Sequence, residues 1–193
     1  MKSIILMGIK HCGKSTQAKR LSEHFGIDFF DTDDLITEIY KKTPREIYST
    51  QGKDSFLNAE KYACQKLEQI LSSKNKSPFN AVIATGGGIC NNPDAIDILR
   101  KLGILIFLDA DEETSFKRIL KEISIDEHGS FKNLPAYISE KNPESLEDVK
   151  NIFHNFFENR EKIYKSICDK TVKCPAVSKE ENTASILKVL QSI

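Results

Sequence analysis

The stretch Gly8-Ile9-Lys10-His11-Cys12-Gly13-Lys14-Ser15-Thr16 constrains this chain more than any other. Two glycines enclosing four residues, then Lys-Ser, make a phosphate-cradling loop where a strand precedes it and a helix follows. Both flanks are present. Ile4 to Met7 is an apolar run of strand type, and Ala18, Leu21 and Phe25 keep helical spacing. In such a loop the backbone N–H groups and the helix N-terminus face an anion. Lys14 meets the outer phosphates, and the Ser15 hydroxyl is a ligand for Mg²⁺. Gly8, Cys12, Gly13, Lys14, Ser15 and Thr16 are therefore the expected nucleotide-binding residues, with Cys12 a passive loop residue or a reactive thiol.

The rest of the chain alternates short apolar runs with helical patterns. Strands are expected at Ile4–Met7, Ile27–Phe30, Ala81–Ala84, Ile104–Leu108 and Thr171–Cys174. Helices are expected at Leu35–Lys41, from Asp54 to about Leu71, from Pro93 to Leu102, around Phe116 and Ile119, from Ser145 through Tyr164, and at the end, with Leu187 and Leu190 inward. Arg45 to Tyr48 reads as a turn, and Asp109 and Asp111 as helix caps. Apolar strands separated by helices imply a parallel sheet covered on both faces, with ligands at the carboxyl ends of the strands. The loop at Lys14, the cluster Asp31-Thr32-Asp33-Asp34 and the run Gly86-Gly87-Gly88 all follow strand ends, so they should share one cleft. Residues 1–193 read as a single domain. The polar segment 123–144 is a lid or an insertion, and 31–62 is the substrate-binding region.

Lys plus Arg and Asp plus Glu number 28 each, a balance that argues against nucleic acid or an anionic membrane as partner. No run approaches the roughly 20 apolar residues that span a bilayer, and nothing at the start resembles a signal peptide. Five cysteines without a CxxC pair fit a reduced, cytoplasmic protein. The five arginines are candidate anion ligands; Arg20 and Arg100 read as solvated surface charges, and His128 and His154 as ordinary surface histidines.

One family resemblance runs through residues 4 to about 174. The phosphate loop is followed by Phe30-Asp31-Thr32-Asp33 with Ile36, by Glu46-Ile47-Tyr48 with Gly52, Phe56 and Glu60, by Ala84-Thr85-Gly86-Gly87-Gly88, and by Arg160 four residues before Tyr164. That order resembles shikimate kinase. The resemblance implies a three-layer α/β/α P-loop kinase with strand order 2-3-1-4-5. It also implies transfer of the ATP γ-phosphoryl group to the 3-hydroxyl of shikimate with Mg²⁺, in aromatic amino acid biosynthesis. By the same resemblance Asp31 sits by the metal, Asp33 orients or deprotonates the hydroxyl, and Gly86, Gly87 and Gly88 line the substrate pocket. Arg160 holds the substrate carboxylate, and Arg118 contacts the nucleotide. The expected partners are ATP or ADP and a small hydroxylated carboxylic acid, and the expected state is a monomer.

The chain departs from the family pattern in three places. Leu57 stands where the family has a carboxylate-binding arginine, and Lys53 where it has a glutamate, so Lys53 or Lys61 is the candidate substitute cation. His11 replaces a loop glycine. The lid reads Lys132-Asn133-Leu134-Pro135 in place of an arginine motif, which makes Lys132 the candidate transition-state cation. Three readings follow: a shikimate kinase, a kinase of the same fold for another hydroxy acid or polyol, or a nucleotide-binding regulatory protein without catalysis.

Overall fold

In the computed structural model, which describes residues 2–72, 78–127 and 130–192, the apolar runs form one parallel sheet. Its strands are β1 (Ser3–Met7), β2 (Asp28–Asp31), β3 (Ala81–Ala84), β4 (Gly103–Ala110) and β7 (Lys170–Cys174), in the order β2-β3-β1-β4-β7. Counting only the strands of this sheet, that is the expected 2-3-1-4-5. β1 lies at the centre, with Ile4 opposite Val82 on one side and Ile104 on the other. Every residue of β1, β3 and β4 is buried, as a strand covered on both faces requires.

The helices are α1 (Lys14–Phe25), α2 (Thr32–Tyr40), α3 (Pro44–Ser72), α4 (Pro93–Leu102), α5 (Glu112–Leu120), α6 (Ala136–Ser139), α7 (Leu146–Ile167) and α8 (Lys179–Leu190). Their ends follow local chemistry. Gly26 closes α1 in the left-handed conformation, with φ 62°. The Asn92 side chain accepts from Ala95 N at the start of α4, whose first residue is Pro93. Ser145 with Asp148, and Ser178 with Glu181, form capping boxes on α7 and α8.

Several expectations are corrected. Arg45 to Tyr48 is not a turn but the first turns of α3, which continues past a break at Gly52, where φ is 85° and ψ 176°. Asp109 caps nothing: it is the penultimate residue of β4, buried, with Lys173 Nζ 2.6 Å away. Asp111 alone caps α5, by accepting from Thr114 N. On α8 the buried residues are Thr183, Ile186 and Leu190, and Leu187, half-buried, packs against the core as expected. Arg100 is exposed and Arg20 partly so, in keeping with surface charges, and each also has a hydrogen-bond partner. Arg20 Nε donates to Thr183 Oγ1 (2.8 Å), joining α1 to α8, and Arg100 Nη2 donates to Ile167 O (2.9 Å).

The segment 123–144 is also less irregular than its composition suggests. It holds an antiparallel ladder between β5 (Ser124–Ile125) and β6 (Phe131–Lys132), then α6. Leu134 and Ile138 anchor it in the main core. His128 lies outside the described residues. His154 is exposed on α7, with Nδ1 2.9 Å from Glu112 Oε1. All five cysteines are free, and no described helix is long and apolar enough to cross a membrane.

Candidate active site

The carboxyl ends of β1, β2 and β3 bring together the three motifs that lie far apart in sequence. β1 delivers the phosphate loop. The loop's left-handed residues include Gly8 (φ 152°), Gly13 (φ 99°) and, unusually for a side chain, His11 (φ 65°). A glycine would adopt that φ without strain, so His11 costs conformational energy, of order 1 kcal/mol. His11 Nε2 lies 3.3 Å from Glu122 Oε2, which also takes Lys10 Nζ at 2.9 Å. Burial, and then the charge of Lys10, hold the imidazole below its ordinary pKa. Arg118 donates from Nη1 to the His11 carbonyl, so α5 braces the loop.

Lys14 is buried, and its Nζ donates to Ile9 O (2.8 Å) within the loop. A cavity of about 440 Å³ opens onto Lys14, Ser15 and Thr16, with Arg118, Lys179 and Asn182 along its side. Ser15 Oγ donates to Asp31 Oδ2 at 2.6 Å. The other oxygen of Asp31 accepts from Asp33 N (3.0 Å) and caps α2. A hydroxyl and a carboxylate oxygen thus meet beside the loop lysine. That oxygen-only pair suits Mg²⁺, which keeps most of its waters and takes one or two protein ligands. Among the described residues no cluster of three or more His, Cys, Asp or Glu side chains forms a fuller cage.

The glycine run packs against both neighbours. Gly86 N donates to Thr32 Oγ1 (2.9 Å), fixing the β3 end to the β2 end. A Cβ at Gly86 would meet Asp33 Oδ1 at 2.7 Å, and one at Gly87 would meet Lys10 N at 2.7 Å. Only glycine allows this approach. The Gly87 carbonyl accepts from Arg160 Nη1 and from Tyr164 OH (3.1 Å), so α7 closes the opposite wall. The Arg160 guanidinium also stacks over Phe156, 4.1 Å from the ring centre.

Among the described residues, Asp33 and Glu60 are the two carboxyls held above their ordinary range. Burial, then the charge of Asp31, pushes Asp33 up to about 6, while Lys14 opposes the rise. Burial also pushes Glu60 up to about 7, against the hydrogen bond from Asn92. Asn92 Nδ2 donates to Glu60 Oε2 (3.1 Å) and to Leu57 O (2.8 Å). Glu60 Oε1 is buried without a partner, and a Cβ at Gly86 would lie 3.4 Å from it. The charge of Asp33 adds to the rise at Glu60. A carboxyl tuned near neutrality beside a phosphate cradle has the properties of a general base.

A second cavity, of about 470 Å³, begins at Asp33 and Gly87 and is walled by Arg45, Tyr48, Phe56 and Arg160. It has the size of a small-molecule pocket. The structure thus gathers Asp33, Gly87, Gly88 and Arg160 around one cavity and Lys14, Ser15 and Arg118 around its neighbour. It does not bring Lys53 or Lys132 to either. Lys53 is exposed beside the Gly52 break, Lys132 pairs with Asp126 (3.0 Å), and Lys61 pairs with Asp94 (2.7 Å). Arg45, Lys10, Tyr137 and Phe156 line the acceptor cavity and were missed by motif reading. The available signal was only that Arg45 is one of five arginines.

A larger hollow, about 810 Å³, lies between α6, the residues after it and α7, beyond the Tyr137–Phe156 stack. It contains none of the cleft's charged catalytic candidates, so volume alone does not locate the chemistry.

Comparisons with known proteins agree with this geometry. The shikimate kinase family model matches residues 10–191. A protein named shikimate kinase from Caldanaerobacter subterraneus subsp. tengcongensis is 30% identical over 179 residues, 90% of this chain and 91% of that one. Another, from Caldicellulosiruptor saccharolyticus, is 34% identical over 119 residues, 62% of this chain and 64% of the relative's own length. The fold also matches shikimate kinase from Acinetobacter baumannii, solved in complex with shikimate, with TM-score 0.74 and 21% identity, covering 100% of this chain and 94% of that one. With the family model spanning nearly the whole chain, this chain is a member of the shikimate kinase family.

Proposed function

We propose that the protein transfers the γ-phosphoryl group of ATP to the 3-hydroxyl of shikimate, a step in aromatic amino acid biosynthesis. The observation that carries this reading is Asp33. It is a half-buried carboxyl pushed up to about 6, placed between the phosphate loop and the glycine run in a cavity that Arg45 and Arg160 also line.

Phosphoryl transfer demands in-line positioning and stabilised charge more than covalent participation. In this reading the nucleotide phosphates lie on the loop N–H groups and the α1 N-terminus. Lys14 leaves the Ile9 carbonyl to meet the β- and γ-phosphates, and Arg118 flanks the nucleotide. Ser15 and Asp31 would hold Mg²⁺, which supplies charge neutralisation on the phosphates when bound. Asp33 accepts the hydrogen bond of the acceptor hydroxyl and takes its proton as the new P–O bond forms. Gly86, Gly87 and Gly88 keep the backbone low enough for a ring to approach, and Arg160 meets the acceptor carboxylate. Lys132 reaches the transferring group only if the segment 123–144 moves and its pair with Asp126 breaks.

A second reading, a different hydroxy acid or polyol as acceptor, has Leu57 in its favour, because that side chain offers no donor to a carboxylate. Incubating the protein with Mg²⁺, ATP and shikimate decides between them. The expected product is shikimate 3-phosphate with one ADP per turnover, identified by mass and phosphorus NMR. Turnover of another hydroxy acid or polyol with no phosphorylation of shikimate would overturn the first reading. Nucleotide binding with no turnover on any acceptor would overturn both.

A further inference from the structure

We propose that Arg45, in the first turn of α3, supplies with Arg160 the cationic wall that holds the carboxylate of the acceptor. The inference rests on the reading that the acceptor is a hydroxylated acid. It assigns its specificity to a residue outside the motifs.

The cavity lining holds three cations: Lys10, Arg45 and Arg160. Lys10 is taken by Glu122 at 2.9 Å. Arg160 is partly committed, to the Gly87 carbonyl and the Phe156 ring. Arg45 has one hydrogen bond among the described residues, from Nη2 to Leu134 O (3.1 Å), and no ion pair. A guanidinium has five N–H donors, so four remain for an anion. Its planar fork matches a carboxylate in a way that a lysine ammonium does not.

The acidic groups on the lining are Asp33 and Asp34, on α2. With both arginines on the same lining, the cavity offers a carboxylate-accepting wall to a molecule whose hydroxyl meets Asp33. Glu46, next in sequence, is turned to its own N-terminus, where its Oε2 accepts from Thr43 N (2.7 Å) and Thr43 Oγ1 (2.8 Å). It therefore does not neutralise Arg45. Glu140 on the far side is occupied by Tyr48 OH (3.0 Å). Position 57 lies elsewhere: Leu57 is absent from the cavity lining, and its carbonyl is bound by Asn92. The break at Gly52 separates the first turns of α3, which carry Arg45 and Tyr48, from the longer stretch that carries Leu57. A cation on one side of that break can do the work of an absent one on the other.

The Leu134 contact adds a competing explanation that the test must separate. In that explanation Arg45 only braces the segment before α6, which any change at 45 would loosen. The experiment is steady-state kinetics and calorimetric binding with shikimate and with its neutral carboxamide, on the wild type and on Arg45→Lys and Arg45→Met. The expected result is a tenfold or larger rise in KM and Kd for shikimate in Arg45→Met. The ATP KM should stay within twofold, and the carboxamide should change by less than threefold. Arg45→Lys should recover part of the loss. An unchanged shikimate Kd, or equal losses for acid and carboxamide, would overturn the proposal while leaving the kinase reading intact. Failure of the wild type to bind or phosphorylate shikimate would overturn the kinase reading, and the clamp with it.

Discussion

The nucleotide side of the cleft is built mainly from nine consecutive residues, Gly8 to Thr16, whereas the acceptor side is assembled from α2, α3, the glycine run, the segment before α6, and α7. The first uses backbone N–H groups and a helix terminus, which any sequence with the right glycines presents. The second uses side chains whose spacing only the fold determines. A backbone site tolerates little variation, because its donors are the chain itself. A side-chain site can shift a charge along the chain and keep its chemistry, as the proposed use of Arg45 in place of an arginine at position 57 would do.

The largest expected effect is on the backbone side. Lys14→Ala removes the one buried ammonium at the loop, and turnover should fall by roughly 10³-fold or more. A loss under tenfold would mean that the loop's N–H groups suffice, and the contrast between the halves would be weaker than drawn.

Next is the pH dependence of the acceptor side. Asp33 works as a carboxylate, and its pKa is raised to about 6, so activity is lost as pH falls through 6 rather than through the ordinary aspartate range near 4. The profile of kcat/KM should drop with unit slope below about pH 6. A profile flat to pH 5 would contradict the tuning.

Smaller still is a stability effect at Glu60. Its folded pKa, about 7, lies above the ordinary glutamate value of 4.5, so the folded state holds the proton more tightly than the unfolded chain. The stability this contributes is complete below about pH 4.5 and is lost as pH rises to 7. Above 7 the protein carries a buried charge with one oxygen unpartnered. Glu60→Gln should therefore raise the melting temperature by a few degrees at pH 8 and leave it nearly unchanged at pH 5. An equal shift at both values would mean that charge is not the cause.

The smallest effect is expected at Lys53, exposed and away from both cavities. Lys53→Ala should change the acceptor KM by less than twofold. A rise of tenfold would restore Lys53 as the substitute cation and sharply weaken the case for Arg45.

The same division explains what could be read from the sequence. The parallel sheet, the phosphate loop and the convergence of Asp33 with Gly86 followed from apolar runs, glycine placement and the rule that such sheets bind ligands at strand ends, while the strand order came only from the family resemblance. Arg45 did not, because the residues after the Thr43-Pro44 break read as a turn, whereas Pro44 opens a helix that runs on past Gly52. Asp109 was misplaced because an acidic residue near a strand end resembles a cap, and its pairing with Lys173 depends on β4 and β7 lying side by side. The ordering of 123–144 was hidden because a few scattered apolar side chains, Leu134 and Ile138 with Ile123, Phe131 and Tyr137 beside them, pin a polar stretch to the core. Local signals carry local structure, and contacts between distant elements are where they end.

The central claim is that Asp33 is the group through which an acceptor hydroxyl becomes reactive toward a phosphate held on Lys14. The most direct measurement is the kcat of Asp33→Asn with ATP, Mg²⁺ and saturating shikimate, alongside the Kd of the variant for ATP. The account predicts a fall of about 10²- to 10⁴-fold in kcat with nucleotide affinity within twofold of wild type. A kcat within threefold of wild type would contradict it.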